Sequence, residues 1–358
     1  MKTVSGIHTF ELNVPCKTYA EVQNVIDRLM ELGDIRVLKK DVLKRSVESK
    51  HFVDQGVRVK ITQSFDFNNS LTLIVAPSTI LCNTYSPLNL CRCKKNDYKK
   101  IKATLKAILQ ELNVPYKLSD CTLSRIDFTV DLYFDEETDL VEYIRIIRKG
   151  ARKTSYKHIT FKQNSKTVKN YKDANKHSCK LSSSDKCGKS QISFTAYDKV
   201  YELKTNDRCP LQFENNKVLR LELSLRRNSF LRKLSLHRVD SFKKALCTAG
   251  EQADKLVRKF VRSLFPCEGK HVQYDVAKLK ILHKVKNENR REQMLYLLKK
   301  TSGSDDLTTA TRKLKDRYML SDKRIRTIFR KFDNLEISPI TIANDCRTKK
   351  LISVHNLL

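Results

Sequence analysis

The chain has 358 residues, 40% of them hydrophobic, which is enough for real cores and long enough for two domains or one domain with an appendage. Its 71 Lys and Arg against 40 Asp and Glu leave a formal charge of +31, more than solubility requires and suited to a polyanionic partner. No stretch approaches the roughly 20 apolar residues of a membrane span, and the N-terminus MKTVSGIHTFELNV alternates instead of forming a signal block, so a soluble, unexported protein is expected. Eleven cysteines cannot all pair with one another, and reduced thiols are expected. Cys82, Cys91 and Cys93 lie close in sequence but lack the paired CxxC spacing of a zinc site.

The first 135 residues predict an α+β pattern. Alternation over His8–Val14 and Val57–Ile61, and the short apolar run Leu71–Val75, predict strands. Tyr19–Leu32 and Tyr98–Leu112 carry the i, i+3/i+4 apolar spacing of amphipathic helices. No internal repeat occurs, and there is no GxGxxG or GKS/T phosphate loop, which excludes a nucleotide-driven motor.

Three later strands each predict one apolar and one chemical face. In SRIDFTVDL, Arg125, Asp127, Thr129 and Asp131 oppose Ile126, Phe128, Val130 and Leu132. In QISFTAYDK, Ser193, Thr195 and Tyr197 oppose Ile192, Phe194 and Ala196; in VLRLELSLRR, Arg220, Glu222, Ser224 and Arg226 oppose Leu219, Leu221, Leu223 and Leu225. If the three share a sheet with helices under the apolar face, the other face gathers carboxylates, a tyrosine and arginines, a floor suited to phosphodiester chemistry. An ordinary half-solvated sheet would show the same alternation.

The charge is concentrated. Residues 151–190 carry +9, 226–262 carry +8 and 278–331 carry +11, so discrete basic surfaces sit on a nearly neutral scaffold and point to nucleic acid. The centre of 151–190 reads as a mobile loop or hairpin. Helices are expected at Phe230–Leu236, Ser241–Leu246 and Ala253–Phe265, and a boundary before Pro266 divides a domain of 1–265 from a helical domain of 266–358. The tail offers helices at Val276–Leu298, Asp305–Tyr318 and Ser321–Phe332. In the last, Ile325, Ile328, Phe329 and Phe332 form an apolar stripe, and Lys323, Arg324, Arg326, Arg330 and Lys331 face away from it. A helix-turn-helix and a plain helical hairpin both fit the last two. The expected DNA contacts are Lys323, Arg324, Arg326 and Arg330 there, and Arg125, Arg220, Arg226 and Arg227 on and beside the strands.

The segments TLSRIDFTVDL, ISFTAYDKVYELK and VLRLELSLRRNSFLRKLSL, in that order, resemble the replication initiators of filamentous phages, the gene II/X family, and related rolling-circle initiators. The Tyr-x-Lys-x-x-Glu-Leu pattern of that family is carried here by Tyr197, Lys199, Glu202 and Leu203. An earlier Ser-Pro-containing motif is matched by IVAPSTILCNTYSPLNL, with Cys82-Asn83 where the family usually shows Gly-His-Asn. The likeness spans residues 70–240 and, more faintly, 317–340.

The resemblance implies a nicking endonuclease of a bacterial host cytoplasm, with Tyr197 as nucleophile and Lys199 and Glu202 beside it. It would open one strand at an origin, leave a 3′-hydroxyl for a host polymerase working with a helicase, and later rejoin the displaced strand. A phenol attacking a phosphodiester must lose its proton while the phosphate oxygens are neutralised, which suits a divalent cation on hard oxygen ligands, Mg²⁺ or Mn²⁺. Asp127 and Glu222 are the first expected ligands and Asp131 the alternative, since Asp127 and Asp131 stand about 13 Å apart along a strand at roughly 3.3 Å per residue. Glu202 stands as a further ligand or proton acceptor. Many tyrosine nickases hold their metal with a His-hydrophobe-His pair; none of the eight histidines here is two residues from another, so a carboxylate site is expected. Tyr201 is open to two readings, a second nucleophile or a packing residue. A non-enzymatic origin-binding or transcription protein is the competing class; it accounts for the charge and the tail but not for acidic positions beside basic ones on one face.

Overall fold

A computed structural model describes residues 2–16, 18–40, 44–64, 69–82, 87–135, 139–150, 157–159, 176–184, 190–237, 240–344, 346 and 348–358. The centre of the 151–190 stretch, expected as a loop or hairpin, and Asn83 of the early motif lie outside them. In chain order the elements are β1 (Lys2–Val14), α1 (Tyr19–Leu32), β2 (Ile35–Lys40), β3 (Lys44–Ser49), β4 (Val57–Ser64), β5 (Ser70–Val75), α2 (Pro77–Cys82), α3 (Lys95–Glu111), β6 (Thr122–Phe134), α4 (Leu140–Gly150), β7 (Lys157–Ile159), β8 (Ser178–Ser184), β9 (Ser190–Asp198), α5 (Lys199–Thr205), β10 (Lys217–Arg226), α6 (Arg227–Lys233) and α7 (Phe242–Leu264). The C-terminal part adds β11 (His271–Val272), α8 (Tyr274–Lys284), α9 (Glu288–Ser302), α10 (Leu307–Tyr318), α11 (Asp322–Asn334) and β12 (Lys350–Leu351).

Ten strands form one antiparallel sheet in the order β2-β3-β4-β5-β1-β6-β10-β9-β8-β7, so the fold is α+β. The three alternating strands of the sequence are neighbours at its centre, β6, β10 and β9. Their apolar residues Ile126, Phe128, Val130, Leu132, Phe194, Ala196, Leu219, Leu221 and Leu223 are all buried. Each large side chain fully buried there contributes about 1.5–3 kcal/mol. Helix α7 covers that face, with Phe242 against Phe10 at 5.8 Å between ring centres and Phe260 against Phe194 at 5.5 Å. Ser241 caps α7, its hydroxyl accepting from the Lys244 amide. The helix runs unbroken where two were expected, because Ala245, Ala249, Gly250 and Ala253 keep the apolar stripe continuous.

Residues 87–93 wrap the free edge of the first half of β1. Cys91 exchanges backbone hydrogen bonds with Ile7, and a Cβ at Gly6 would meet the Cys91 carbonyl at 2.7 Å. On the helical side a Cβ at Gly250 would meet the Arg92 carbonyl at 2.0 Å, so only glycine admits this wrap beside α7. No disulfide joins any of the ten described cysteines, and Cys91 and Cys93 are buried.

The single helix expected over Val276–Leu298 is two, α8 and α9, broken where the Asn287 side chain accepts from the Arg290 amide and caps α9. The tail is joined to the sheet layer by polar and apolar contacts. Lys149 Nζ donates to the Thr301 carbonyl at 2.8 Å at the C-terminal end of α9, the Glu142 carboxylate accepts from the Ala343 amide at 3.1 Å, and Arg262 donates to the Leu358 carbonyl at 3.0 Å. One continuous apolar cluster extends from β1 through α7 to Leu358. Among the described residues no helix is long and apolar enough to cross a membrane.

Candidate active site on the polar face of the sheet

The face opposite α7 carries the polar residues of the central strands, and the register fixes their neighbours. Across β6 and β10, Asp131 faces Arg220, Thr129 faces Glu222 and Asp127 faces Ser224; across β10 and β9, Arg220 faces Tyr197 and Glu222 faces Thr195. Tyr197 is therefore diagonal to Glu222, within reach for side chains of this length.

At one end the face is closed. Arg220 and Asp131 are both 0% exposed, with Arg220 Nε and Nη2 on the two carboxylate oxygens at 2.7 and 2.6 Å and Nη2 also donating to the Pro87 carbonyl at 2.9 Å. Leu88, Val200 and Val218, with Tyr133 and Phe213 packed beside them, form a small apolar cluster of their own. Two sequence expectations change here. Arg220 does not reach the surface and so is not a DNA contact. Asp131, with both oxygens held by Arg220, serves as its counter-ion and is not open to a metal. Arg220 Nη1 remains buried without a partner.

The middle of the face holds Tyr197, Lys199, Glu222, Asp127 and Thr129. Burial and then the charge of Glu222 push the Tyr197 phenol well above its ordinary value, with Arg220 acting the other way. Lys199 is buried at the start of α5, 2.6 Å from Glu202 and with its Nζ 5.9 Å from the centre of the Tyr197 ring. Burial and the charge of Arg220 lower its ammonium against the pull of Glu202. Glu202 itself is half-buried at the rim. Tyr201, one helical turn on, is exposed and stacks on His177 at 3.5 Å between ring centres. Asp198 caps α5 by accepting from the Tyr201 amide at 3.0 Å, so the strand that carries Tyr197 ends in a rigid turn.

Strand β1 also contributes to this face, which its sequence does not announce. A bulge between Ile7 and Thr9 inserts His8, shifting the alternation so that Thr9 and Glu11 join the polar face. His8 Nδ1 meets Glu222 Oε2 at 2.9 Å. Burial alone would raise the Glu222 carboxyl; the hydrogen bond and charge of His8, with Arg220 and Lys199, bring it down to about 2. Thr9 donates to Asp127 Oδ2, which Arg125 also holds at 2.9 Å. At the open end Glu11 is shared between Arg125 and Arg226, the latter at 2.9 Å. Arg227 donates to the Leu123 carbonyl at 3.1 Å. No sequence signal marks the bulge: the run His8–Val14 simply alternates.

Two buried oxygens on this face, Asp127 Oδ1 and Thr129 Oγ1, have no hydrogen-bond partner, and together with Glu222 they are hard donors of the kind Mg²⁺ and Mn²⁺ take. Among the described residues no three His, Cys, Asp or Glu side chains already converge closely enough to hold a metal. Asp127 and Glu222 stand diagonally on adjacent strands, and Asp127 and Asp131 lie four residues apart on one strand.

The second basic surface is α11. Ile325, Ile328, Phe329 and Phe332 are buried, while Lys323, Arg324, Arg326 and Arg330 are exposed. It follows α10 after Met319, which takes a left-handed conformation at φ 48°, and the Ser321 cap. Beside α11 a cleft of about 400 Å³ is lined by Asn287, Arg290, Gln293, Tyr318 and Arg324 among others. Arg317 stacks on Tyr296 at 5.0 Å and on Tyr318 at 5.6 Å.

No family model matches the chain, and no curated protein matches it. Among solved structures it is similar to a rolling circle replication initiator protein from Geobacillus stearothermophilus, at 11% identity and a TM-score of 0.29, covering 89% of this chain and 98% of that one.

Proposed function

We propose that the chain is a rolling-circle replication initiator, a site-specific DNA nickase in which Tyr197 attacks the phosphodiester of one strand at an origin and the displaced strand is later rejoined. The observation that carries this reading is the juxtaposition, on the one face of the central strands that α7 leaves uncovered, of Tyr197 with Glu222, Lys199 and Arg220. The strand motifs shared with filamentous-phage initiators agree with it.

In the nicking step the Tyr197 oxygen forms a bond to phosphorus, the bond from phosphorus to the 3′-oxygen breaks, and a 3′-hydroxyl remains. Tyr197 is held protonated by burial and by the charge of Glu222, so it is a poor nucleophile until that charge is compensated. Arg220, directly opposite on β10, and Lys199, at the ring, are the cations that favour its phenolate. Asp127 and Glu222 would hold a divalent cation, Mg²⁺ or Mn²⁺, which when bound supplies the remaining positive charge for the phenolate and the phosphate oxygens. Glu202, paired with Lys199 at the rim, takes the proton onward. Arg125, Arg226 and Arg227 border the open end where a strand would enter, and the basic face of α11 would hold origin duplex. The partners are thus origin DNA, its displaced single strand and the host polymerase and helicase.

The test is nicking of supercoiled DNA carrying the element's own origin. EDTA should abolish it, and Asp127→Asn and Glu222→Gln should each reduce it by two orders of magnitude or more, on the order expected for loss of a catalytic metal ligand, while DNA binding persists. Full activity in EDTA and in both variants would overturn the metal assignment. Origin binding without any nicking by the unmodified protein would favour the non-enzymatic DNA-binding reading.

A further inference from the structure

The strands β1 and β10 lie on either side of β6, so their backbones stand about 9–10 Å apart. Across that gap His8 and Glu222 nevertheless meet, Nδ1 to Oε2 at 2.9 Å, arching over β6. Glu222 is in register with Thr129, and His8 is the inserted residue next to Thr9, which is in register with Asp127. On the strand beneath the arch, Thr129 Oγ1 and Asp127 Oδ1 are buried without hydrogen-bond partners, in residues 0% and 3% exposed. The other oxygen of Asp127 is fixed by Arg125 and Thr9, which leaves Oδ1 as the atom able to bind something else.

Neighbouring ligand atoms around an octahedral ion at about 2.1 Å lie about 3 Å apart, the separation that His8 and Glu222 already show. A bulge that spends a backbone irregularity to set one imidazole beside one carboxylate, over unpartnered oxygens, has the form of a ligand shell.

We propose that His8 is a metal ligand, completing with Glu222, Asp127 Oδ1 and the Thr129 hydroxyl a mixed nitrogen and oxygen site, and that it biases the site towards Mn²⁺ over Mg²⁺. This deepens the nickase reading, and it replaces the all-carboxylate site that the histidine spacing suggested. An imidazole suits the later first-row ions, whereas Mg²⁺ takes oxygen ligands almost alone. The carboxylate of Asp127 must be drawn in by the ion, since three such groups do not yet converge in this structure.

The experiment titrates Mn²⁺ into the full-length protein without DNA, following the loss of the free-ion signal by electron paramagnetic resonance, and repeats it with Mg²⁺ as competitor. Wild-type protein should bind one Mn²⁺ at this site, His8→Ala should weaken it about tenfold or more, and Mg²⁺ should compete better in that variant than in wild type. His8→Gln, which retains a donor towards Glu222, serves where His8→Ala disturbs the bulge, and should weaken Mn²⁺ in the same direction. Wild-type Mn²⁺ affinity in both variants, or no Mn²⁺ bound by wild type, would overturn the proposal and leave a plain hydrogen bond over hydrated oxygens. Nicking is scored separately, with Tyr197→Phe as the reference that should bind Mn²⁺ normally. A protein that nicks but binds Mn²⁺ independently of His8 sinks only this inference, and one that binds Mn²⁺ through His8 but never nicks sinks only the nickase reading.

Discussion

The two ends of the polar face use the same chemistry, arginine against carboxylate between strands, to opposite effect. At the closed end Arg220 and Asp131 are each 0% exposed, with Pro87 accepting from the same guanidinium. At the open end Glu11 is shared by Arg125, whose side chain is 26% exposed, and Arg226, at 48%. A single strand, β10, runs from one regime to the other through Arg220, Glu222, Ser224 and Arg226. What separates them is cover: Pro87, Leu88 and the start of α5 lie over one end, whereas at the other the arginine side chains themselves remain partly exposed. The buried pair anchors the sheet beneath Tyr197, whereas the open pair keeps its cations near solvent, where a phosphate backbone could reach them.

The largest effect is expected from breaking the covered pair. Asp131→Asn leaves the Arg220 guanidinium buried without a counter-charge, and removing one partner of such a pair typically costs about 3–5 kcal/mol. Urea unfolding measures it; a loss under about 1 kcal/mol would mean that water reaches this end and that the contrast is false.

Another covered polar group gives a pH-dependent version of the same test. His271 is buried where β11 joins the tail, its Nδ1 on the Ile340 carbonyl at 2.8 Å, and burial pushes its imidazole down to about 4. A lowered value means that the unfolded chain binds the proton first. The full stability contributed by the neutral ring is therefore present above about pH 6.5 and is lost as pH falls from there towards 4. The loss is roughly 3 kcal/mol at most. His271→Asn should flatten the acid limb of the unfolding midpoint against pH; an unchanged limb would assign it to other groups.

At the open end effects should be small in stability and large in binding. Arg226→Ala is expected to cost less than about 1 kcal/mol, as exposed ion pairs do, and to weaken DNA binding with a shallower dependence on salt, because fewer counterions are released. A stability loss as large as that of Asp131→Asn would erase the distinction between the two ends.

The alternation of β6, β9 and β10 was legible because a half-buried strand must repeat every two residues, and the helical faces of α1 and α11 were legible for the corresponding reason. Period 2 also misled. It assigns Arg220 to the same polar face as Arg226 and is silent about what covers that face, so a buried guanidinium read as a DNA contact and its partner Asp131 as a metal ligand. His8 was invisible because a bulge adds a residue without changing the composition, whereas Glu11 follows the alternation of Phe10, Leu12 and Val14 and only its partners, Arg125 and Arg226, were hidden. The strands at and next to the two edges of the sheet, β2, β3 and β8, are rich in charged residues and serine and lacked the long apolar alternation that announces a strand. The break between α8 and α9 depended on one capping asparagine inside an otherwise periodic run.

On the proposed mechanism Tyr197, seated between the covered Arg220 and the open end, forms a bond to DNA. The direct measurement is to react the protein with a single-stranded origin oligonucleotide and a divalent cation, denature and digest it, and sequence any nucleotide-bearing peptide by mass spectrometry. A phosphotyrosyl linkage is expected on Tyr197 and absent from Tyr197→Phe, a variant whose stability should change by only about 1 kcal/mol. A linkage on Tyr201, or nicked product that carries no protein adduct and persists in Tyr197→Phe, would contradict it.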